Sequence, residues 1–255
     1  MDDLALARAA AAEAARVIQA GGSRSADYKG VVDPVTAVDR EAETVIVEMI
    51  RDERPDDRIL AEEGGGDTDA TGRRWVIDPL DGTVNFVHGI PQVGVSIALE
   101  VDGRADVGVI RDVYRDEEFW AVEGGGAFLD SRPVTVSPTN DLGAALVSTG
   151  FPYDRQDRAA EYTTVITAVL RVAQGVRRLG SAALDLAWVA CGRYDGHWEV
   201  RLSPWDVSAG LLLVREAGGI ASASDGGPAS HLDLIATNGH IHEALRAAVH
   251  DATSR

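Results

Sequence analysis

The sequence predicts an α+β fold, and three patterns carry that prediction. From Asp2 to Asp52 apolar residues recur mainly at helical spacing; strands of a meander dominate from Val93 to Val122; beyond about Asn140 short apolar strands alternate with helices. The order is therefore antiparallel first and α/β second. No repeat, low-complexity tract or Pro-rich linker divides the chain. Two subdomains, residues 1–140 and 141–255, are accordingly expected to share an interface, with a site between them.

The elements follow in order. From Asp2 to Gln19 alanines and larger apolar residues repeat at helical spacing and stop at Gly21-Gly22, a natural helix end. A second helix reads from Val38 to Asp52, with Val38, Ala42, Val45, Ile46 and Met49 on one face, Thr36 as N-cap and Pro55 beyond its end. Asp39 then sits in its first turn. Ile59 to Ala61 reads as a short strand delivering Glu62 and Glu63 into Gly64-Gly65-Gly66, which on its own would be a flexible acidic turn. Trp75 to Ile77 is another strand, and Pro79 is expected to stop it so that Asp78 and Asp81 turn toward a common point. Val93 to Glu100, Ala105 to Val113 and Glu118 to Val122 form the meander, with Asp102-Gly103 at its first tight turn. In the last part, strands near Leu146, Val176, Gly196 and Ile235 alternate with helices near Arg158 to Ala173, Ser181 to Ala190 and Asp206 to Ala217.

Composition narrows what the chain can do. Its 255 residues are 45% hydrophobic, enough for a large core, and 24 basic against 41 acidic residues give a formal charge of −17. A nucleic-acid partner is not expected, because such binders need basic surface to displace counterions. No apolar run reaches the length of a membrane span, roughly 18 residues or more. The Ala-rich start carries Asp2, Asp3, Arg8, Glu13 and Arg16, so neither membrane nor secretory signal is expected, and the reading is a soluble cytoplasmic protein. Cys191 is the single cysteine and reads as a small buried core residue. His88 and His197 read as flanking or surface residues. Lys29 is the only lysine in the chain; the residues alone fit a chance loop position as well as a site role.

Chemistry concentrates in two distant segments, Trp75 to Phe86 (WVIDPLDGTVNF) and Trp198 to Asp206 (WEVRLSPWD). They read as halves of one metal site whose hard oxygen ligands suit Mg²⁺. Asp-Gly-Thr after an apolar strand is also similar to the haloacid-dehalogenase phosphatases, whose two aspartates are separated by one residue. Here Pro79 and Leu80 both intervene, and the sole lysine lies upstream, against a phosphoaspartyl mechanism.

Taken with Ala61-Glu62-Glu63, Arg178 to Ala187 (RLGSAALDLA), Trp205 to Gly210 (WDVSAG) and Arg215 to Ile220 (REAGGI), these segments resemble the inositol monophosphatase family, in that family's order and over nearly the whole chain. The resemblance implies a layered αβαβα sandwich, a homodimer and a phosphomonoesterase in which metal-activated water attacks phosphorus directly. It implies Mg²⁺ ligands at Glu62, Asp78, Asp81 and Asp206 and the Leu80 carbonyl, a water-activating pair at Asp39 and Thr83, a site role for Lys29, and sensitivity to Li⁺. Phosphate oxygens would meet the backbone of Gly82 and Thr83, and substrate hydroxyls would meet Gly180, Ser181, Ala182 and Glu199. Val84-Asn85-Phe86 looks more like the inositol phosphatase branch than the nucleotide-phosphatase branch. Inositol 1-phosphate or a related sugar or polyol phosphate is the expected substrate, with fructose 1,6-bisphosphate and histidinol phosphate as alternatives. A regulatory or binding relative is the non-enzyme alternative, and it would be expected to lack a ligand or the water-activating pair.

Overall fold

Helix α1 (Asp3–Ala20) starts where the Asp2 side chain accepts the Ala5 N–H at 2.7 Å, and it ends at Gly21 in a conformation that L side chains rarely adopt. The computed structural model describes residues 1–21, 25–28 and 34–253. Lys29 lies outside the described residues. Strands β1 (Ala26–Tyr28) and β2 (Pro34–Thr36) pair antiparallel, and Thr36 caps helix α2 (Ala37–Glu53). That cap is reciprocal: Thr36 Oγ1 receives the Val38 N–H, while Asp39 returns a carboxylate to the Thr36 N–H at 2.9 Å.

Next come β3 (Arg58–Ala61), β4 (Gly65–Gly66) and β5 (Arg73–Asp81), so two of the three loop glycines form a short strand against β3. The expected stop at Pro79 does not occur. β5 runs on to Asp81 with its register broken between Asp78 and Asp81, and such an irregularity tolerates a residue that has no N–H to give the ladder. Helix α3 (Thr83–His88) follows, unforeseen because only six residues separate Gly82 from Gly89. Strands β6 (Gly94–Val101), β7 (Arg104–Asp112) and β8 (Glu117–Val122) are the expected meander, extended by β9 (Gly126–Leu129) and β10 (Arg132–Val134). The order β10-β9-β8-β7-β6-β5-β3-β4 makes an eight-stranded sheet, parallel only between β3 and β5.

The remaining elements are β11 (Leu146–Thr149), α4 (Ala159–Leu170), β12 (Gly175–Arg177), α5 (Ala182–Ala190), β13 (Gly196–Val200), α6 (Pro204–Glu216), β14 (Ile220–Ser222), β15 (Asp233–Thr237) and α7 (His242–Thr253). Five of these strands form a second sheet, β12-β11-β13-β15-β14. Only β12, β11 and β13 run parallel; β15 is antiparallel to both its neighbours.

The layers are α1 and α2, the eight-stranded sheet, α5 and α6, the five-stranded sheet, then α4 and α7. This is the layered α+β sandwich. Trp75 and Ile77 of β5 pack toward α1 and α2 with Leu6, Ile18 and Ile46, whereas Val76 packs the other way with Leu186 and Leu213. Covering on both faces explains why β5 reads as a continuous apolar run. Each fully buried Ile or Leu in these layers contributes about 1.5–3 kcal/mol relative to exposure. Among the described residues no helix is long and apolar enough to cross a membrane.

Candidate active site

Several elements end at one cavity of about 260 Å³ between the two sheets. Glu62 comes from the end of β3, Asp78, Leu80 and Asp81 from β5, Gly82 and Thr83 from the entry to α3, and Asp206 from the first turn of α6. Gly180, Ser181, Ala182 and Asp185 reach it from the start of α5, and Glu199 from β13.

Each acid is held by a local device. The irregularity in β5 lets Asp78 fold back and accept the Leu80 N–H at 2.9 Å. Asp81 Oδ2 accepts the Ser181 hydroxyl at 2.5 Å and the Ala183 N–H at 2.8 Å, tying β5 to α5. Asp206 Oδ2 accepts the Ser203 N–H at 2.7 Å as half of a capping box. Glu43, on α2, grips the N–H groups of Glu63 and Gly64 at 2.7 and 2.6 Å and so fixes the turn that carries Glu62. Asn85 donates to the carbonyls of Gln92 and Leu179, both at 2.8 Å, clasping α3 to the turn before α5.

Backbone approach is close at Gly82. Its φ is +100°, and a Cβ there would come 2.8 Å from the Gln92 carbonyl oxygen. The first N–H groups of α3 have no helical carbonyl to reach, and Gly82, Thr83 and Val84 line the cavity.

The carboxylates are crowded and buried. Asp78 is pushed well above the usual carboxylate range by burial, then by the charges of Glu62, Asp81 and Asp206. Asp206 is raised likewise, by burial first and by Asp81 next. Burial lifts Asp81 to about 6, against the pull of its hydrogen bonds from Ser181 and Ala183. Among the described residues no three acids or histidines are gathered as a finished metal cage. The donor set nonetheless fits a hard cation, because the hydrogen bonds to Asp78, Asp81 and Asp206 each fall on a single oxygen, leaving the second oxygen of each without a hydrogen bond among the described residues. Binding a cation would remove the repulsion that raises these groups.

The expected pair is also together. Thr83 Oγ1 lies 3.0 Å from Asp39 Oδ1 and 3.2 Å from the Leu80 carbonyl oxygen. Asp39 is buried behind Thr83 and does not line the cavity, so it can act only through that hydroxyl. Burial raises its pKa, which makes it a better base than an exposed aspartate.

Residues 2–254 match the inositol monophosphatase family. The chain belongs to that family. An inositol-1-monophosphatase from Synechocystis sp. is 47% identical over 224 residues, covering 85% of this chain and 77% of its own. A relative named Nus factor SuhB, from Escherichia coli, is 43% identical over 233 residues, covering 90% and 87%. The solved inositol monophosphatase of Anabaena (Nostoc) sp. superposes with a TM-score of 0.89 at 43% identity, covering 97% of this chain and 95% of the other. The activity of this chain is that of a phosphatase of this family.

Ser181 lines the cavity and also donates its hydroxyl to Asp81, a candidate ligand. Two other expectations need correction. His197 is neither flanking nor surface but fully buried, because β13 is covered on both faces. Cys191 is only partly buried at the end of α5, where its thiol faces the Trp188 carbonyl oxygen at 3.7 Å. Sequence reasoning also passed over Asp185, Arg155, Arg178 and Arg201, all of which line the cavity. Asp185 and Arg178 lie in the RLGSAALDLA segment and Arg201 inside WEVRLSPWD, where apolar and acidic neighbours gave no local sign of a cavity role, and Arg155 lies outside every motif.

Proposed function

We propose that the protein is a Mg²⁺-dependent phosphomonoesterase acting on inositol 1-phosphate or a related polyol or sugar phosphate. The observation that carries the reading is one cavity where Thr83, backed by Asp39, stands beside Glu62, Asp78, Asp81 and Asp206. Those four carboxylates and the Leu80 carbonyl would hold the cation, which when bound neutralises the acids, draws charge from the phosphate and makes a nearby water more acidic. Thr83 Oγ1 takes a proton from the attacking water as it passes its own to Asp39 Oδ1. The backbone N–H groups at Gly82 and Thr83 orient the phosphate oxygens, and Glu199 accepts from substrate hydroxyls. Arg155, Arg178 and Arg201 on the cavity wall oppose the acids and favour an anionic substrate.

The deciding assay measures Mg²⁺-dependent phosphate release from inositol 1-phosphate, fructose 1,6-bisphosphate, histidinol phosphate and 3′-phosphoadenosine 5′-phosphate. Fastest turnover of the inositol ester is expected. Release from none of the four would instead favour a regulatory role, the direction suggested by the name of the E. coli relative.

Cation binding has a second readout. Because the fold lifts Asp81 from 3.8 to about 6, its protonation favours the folded state fully below 3.8, and that stabilisation is lost as pH rises through about 6. Mg²⁺ should therefore raise the melting temperature more at about pH 8, where protons do not compete, than at about pH 5. At a hundred times Kd the expected rise is about 5–10 °C. An equal rise at both pH values, or none, would count against these carboxylates as the cation site.

A further inference from the structure

Behind the cavity wall lie two buried polar residues, His197 and Ser148, that the proposed reaction does not use. His197 and Glu199 alternate on β13 and so face the same side of the second sheet. Ser148 of β11 is the parallel-register partner of His197, and Asp185 of α5 stands over the same patch. Ser148 and His197 are completely buried, Asp185 is 1% exposed and Glu199 7%. Room for the Glu199 carboxylate depends on Gly150, just after β11, since a Cβ there would fall inside it.

The contacts are asymmetric. His197 Nδ1 lies 3.0 Å from Ser148 Oγ and 3.8 Å from Asp185 Oδ2. Its Nε2 lies 3.5 Å from Glu199 Oε2 and has no hydrogen-bond partner, and Asp185 Oδ1 is also buried without one. Among the described residues Glu199 receives no hydrogen bond, so Nε2 is its nearest ion-pair neighbour. Were Nδ1 to donate to Ser148, a bare Nε2 lone pair would face the carboxylate. The reverse tautomer, with Ser148 donating to Nδ1, puts an N–H against Glu199 instead. A buried donor left just out of range calls for a reason, and contacts of this kind commonly tighten only when substrate is bound.

We propose that His197 is a positioning residue for the substrate-facing carboxylate: Ser148 fixes the ring at Nδ1, and Nε2–H aims Glu199 at the substrate hydroxyls. This rests on the reading of Glu199 as a hydroxyl acceptor. Asp185, beyond the ring, flanks it with a second acid and lines the same cavity.

The test compares kcat and KM for inositol 1-phosphate, rich in hydroxyls, with those for p-nitrophenyl phosphate, which has none to offer. His197→Phe keeps an aromatic ring but removes the donor. It should raise KM for the inositol ester about tenfold with kcat retained, and lower the inositol-to-aryl ratio of kcat/KM by a similar factor. His197→Gln, which carries a donor near Nε2, should recover most of that ratio. Glu199→Gln should raise the same KM, and His197→Phe added to it should change little more, as coupled residues require. If His197→Phe is poorly folded, Ser148→Ala should move the same ratio in the same direction.

A normal ratio in His197→Phe beside a lowered one in Glu199→Gln would overturn the positioning role alone. Equal losses of kcat on both substrates, with a lower melting temperature, would make His197 a packing residue and also overturn it. An unchanged ratio in Glu199→Gln would sink the reading of Glu199 itself, on an arm independent of His197.

Discussion

Asp81→Asn is expected to abolish turnover, by about a thousandfold or more, while the fold persists. Asp81 does two jobs that the substitution separates. One oxygen accepts from Ser181 at 2.5 Å and from Ala183 at 2.8 Å, which an amide oxygen can still do. The other then becomes an NH₂ group, which cannot serve a cation. Stability should move the opposite way from activity. At about pH 8 the wild-type carboxylate is a buried, uncompensated charge in the cation-free protein, so the neutral variant should melt higher there. That advantage should vanish below 3.8, where Asp81 is protonated in folded and unfolded states alike. Near-normal activity at saturating Mg²⁺ would show that Asp81 is not a ligand.

How much of this was legible in the sequence depends on how local each cause is. Helix α2 and its cap could be read because Thr36, Asp39 and the apolar face lie within one stretch of chain. The strand through Trp75 to Ile77 could be read from its apolar run, but its continuation through Pro79 depends on pairing with β6, whose register slips there. A proline signal is local, whereas the tolerance for it is set by a neighbouring strand. Helix α7, absent from the sequence reading, has a local amphipathic pattern with Leu245 and Val249 inward.

The site divides in the same way. Acids before and after turns stand out in sequence, and the cavity indeed gathers Glu62, Asp78, Asp81 and Asp206. Groups that hold those acids do not stand out. Glu43 lies on a helix face and reaches the Glu62 turn only because α2 packs beside it. Ser181 meets Asp81 across 100 positions, and Asn85 meets Leu179 across 94. Asp185 sits in an apolar helix pattern and His197 reads as a flanking or surface residue, and only the stacking of α5 on the second sheet brings them together.

Asp39→Asn is the second large effect expected, a fall in kcat of about a hundredfold to ten-thousandfold, the range for losing a positioned proton acceptor. The carboxylate is committed on both sides: Oδ1 to the Thr83 hydroxyl at 3.0 Å, Oδ2 to the N–H of Thr36 at 2.9 Å and to its hydroxyl. An Asn that keeps its oxygen toward Thr83 must turn its NH₂ toward the Thr36 N–H, donor against donor. The helix cap is then weakened by about 1 kcal/mol, a loss seen in melting but too small to account for the rate. An Asn that flips to save the cap points NH₂ at Thr83 and cannot take its proton. Either way the relay from water to Thr83 to Asp39 is broken, while KM and cation affinity should change little because Asp39 does not line the cavity. Thr83→Ala should produce a comparable fall in kcat, and Thr83→Ser, which keeps the hydroxyl, should retain most of the activity. If Asp39→Asn keeps more than about half of the wild-type kcat, Thr83 does not pass its proton to Asp39. The pair would then be only the cap and hydrogen bond that tie α2 to α3.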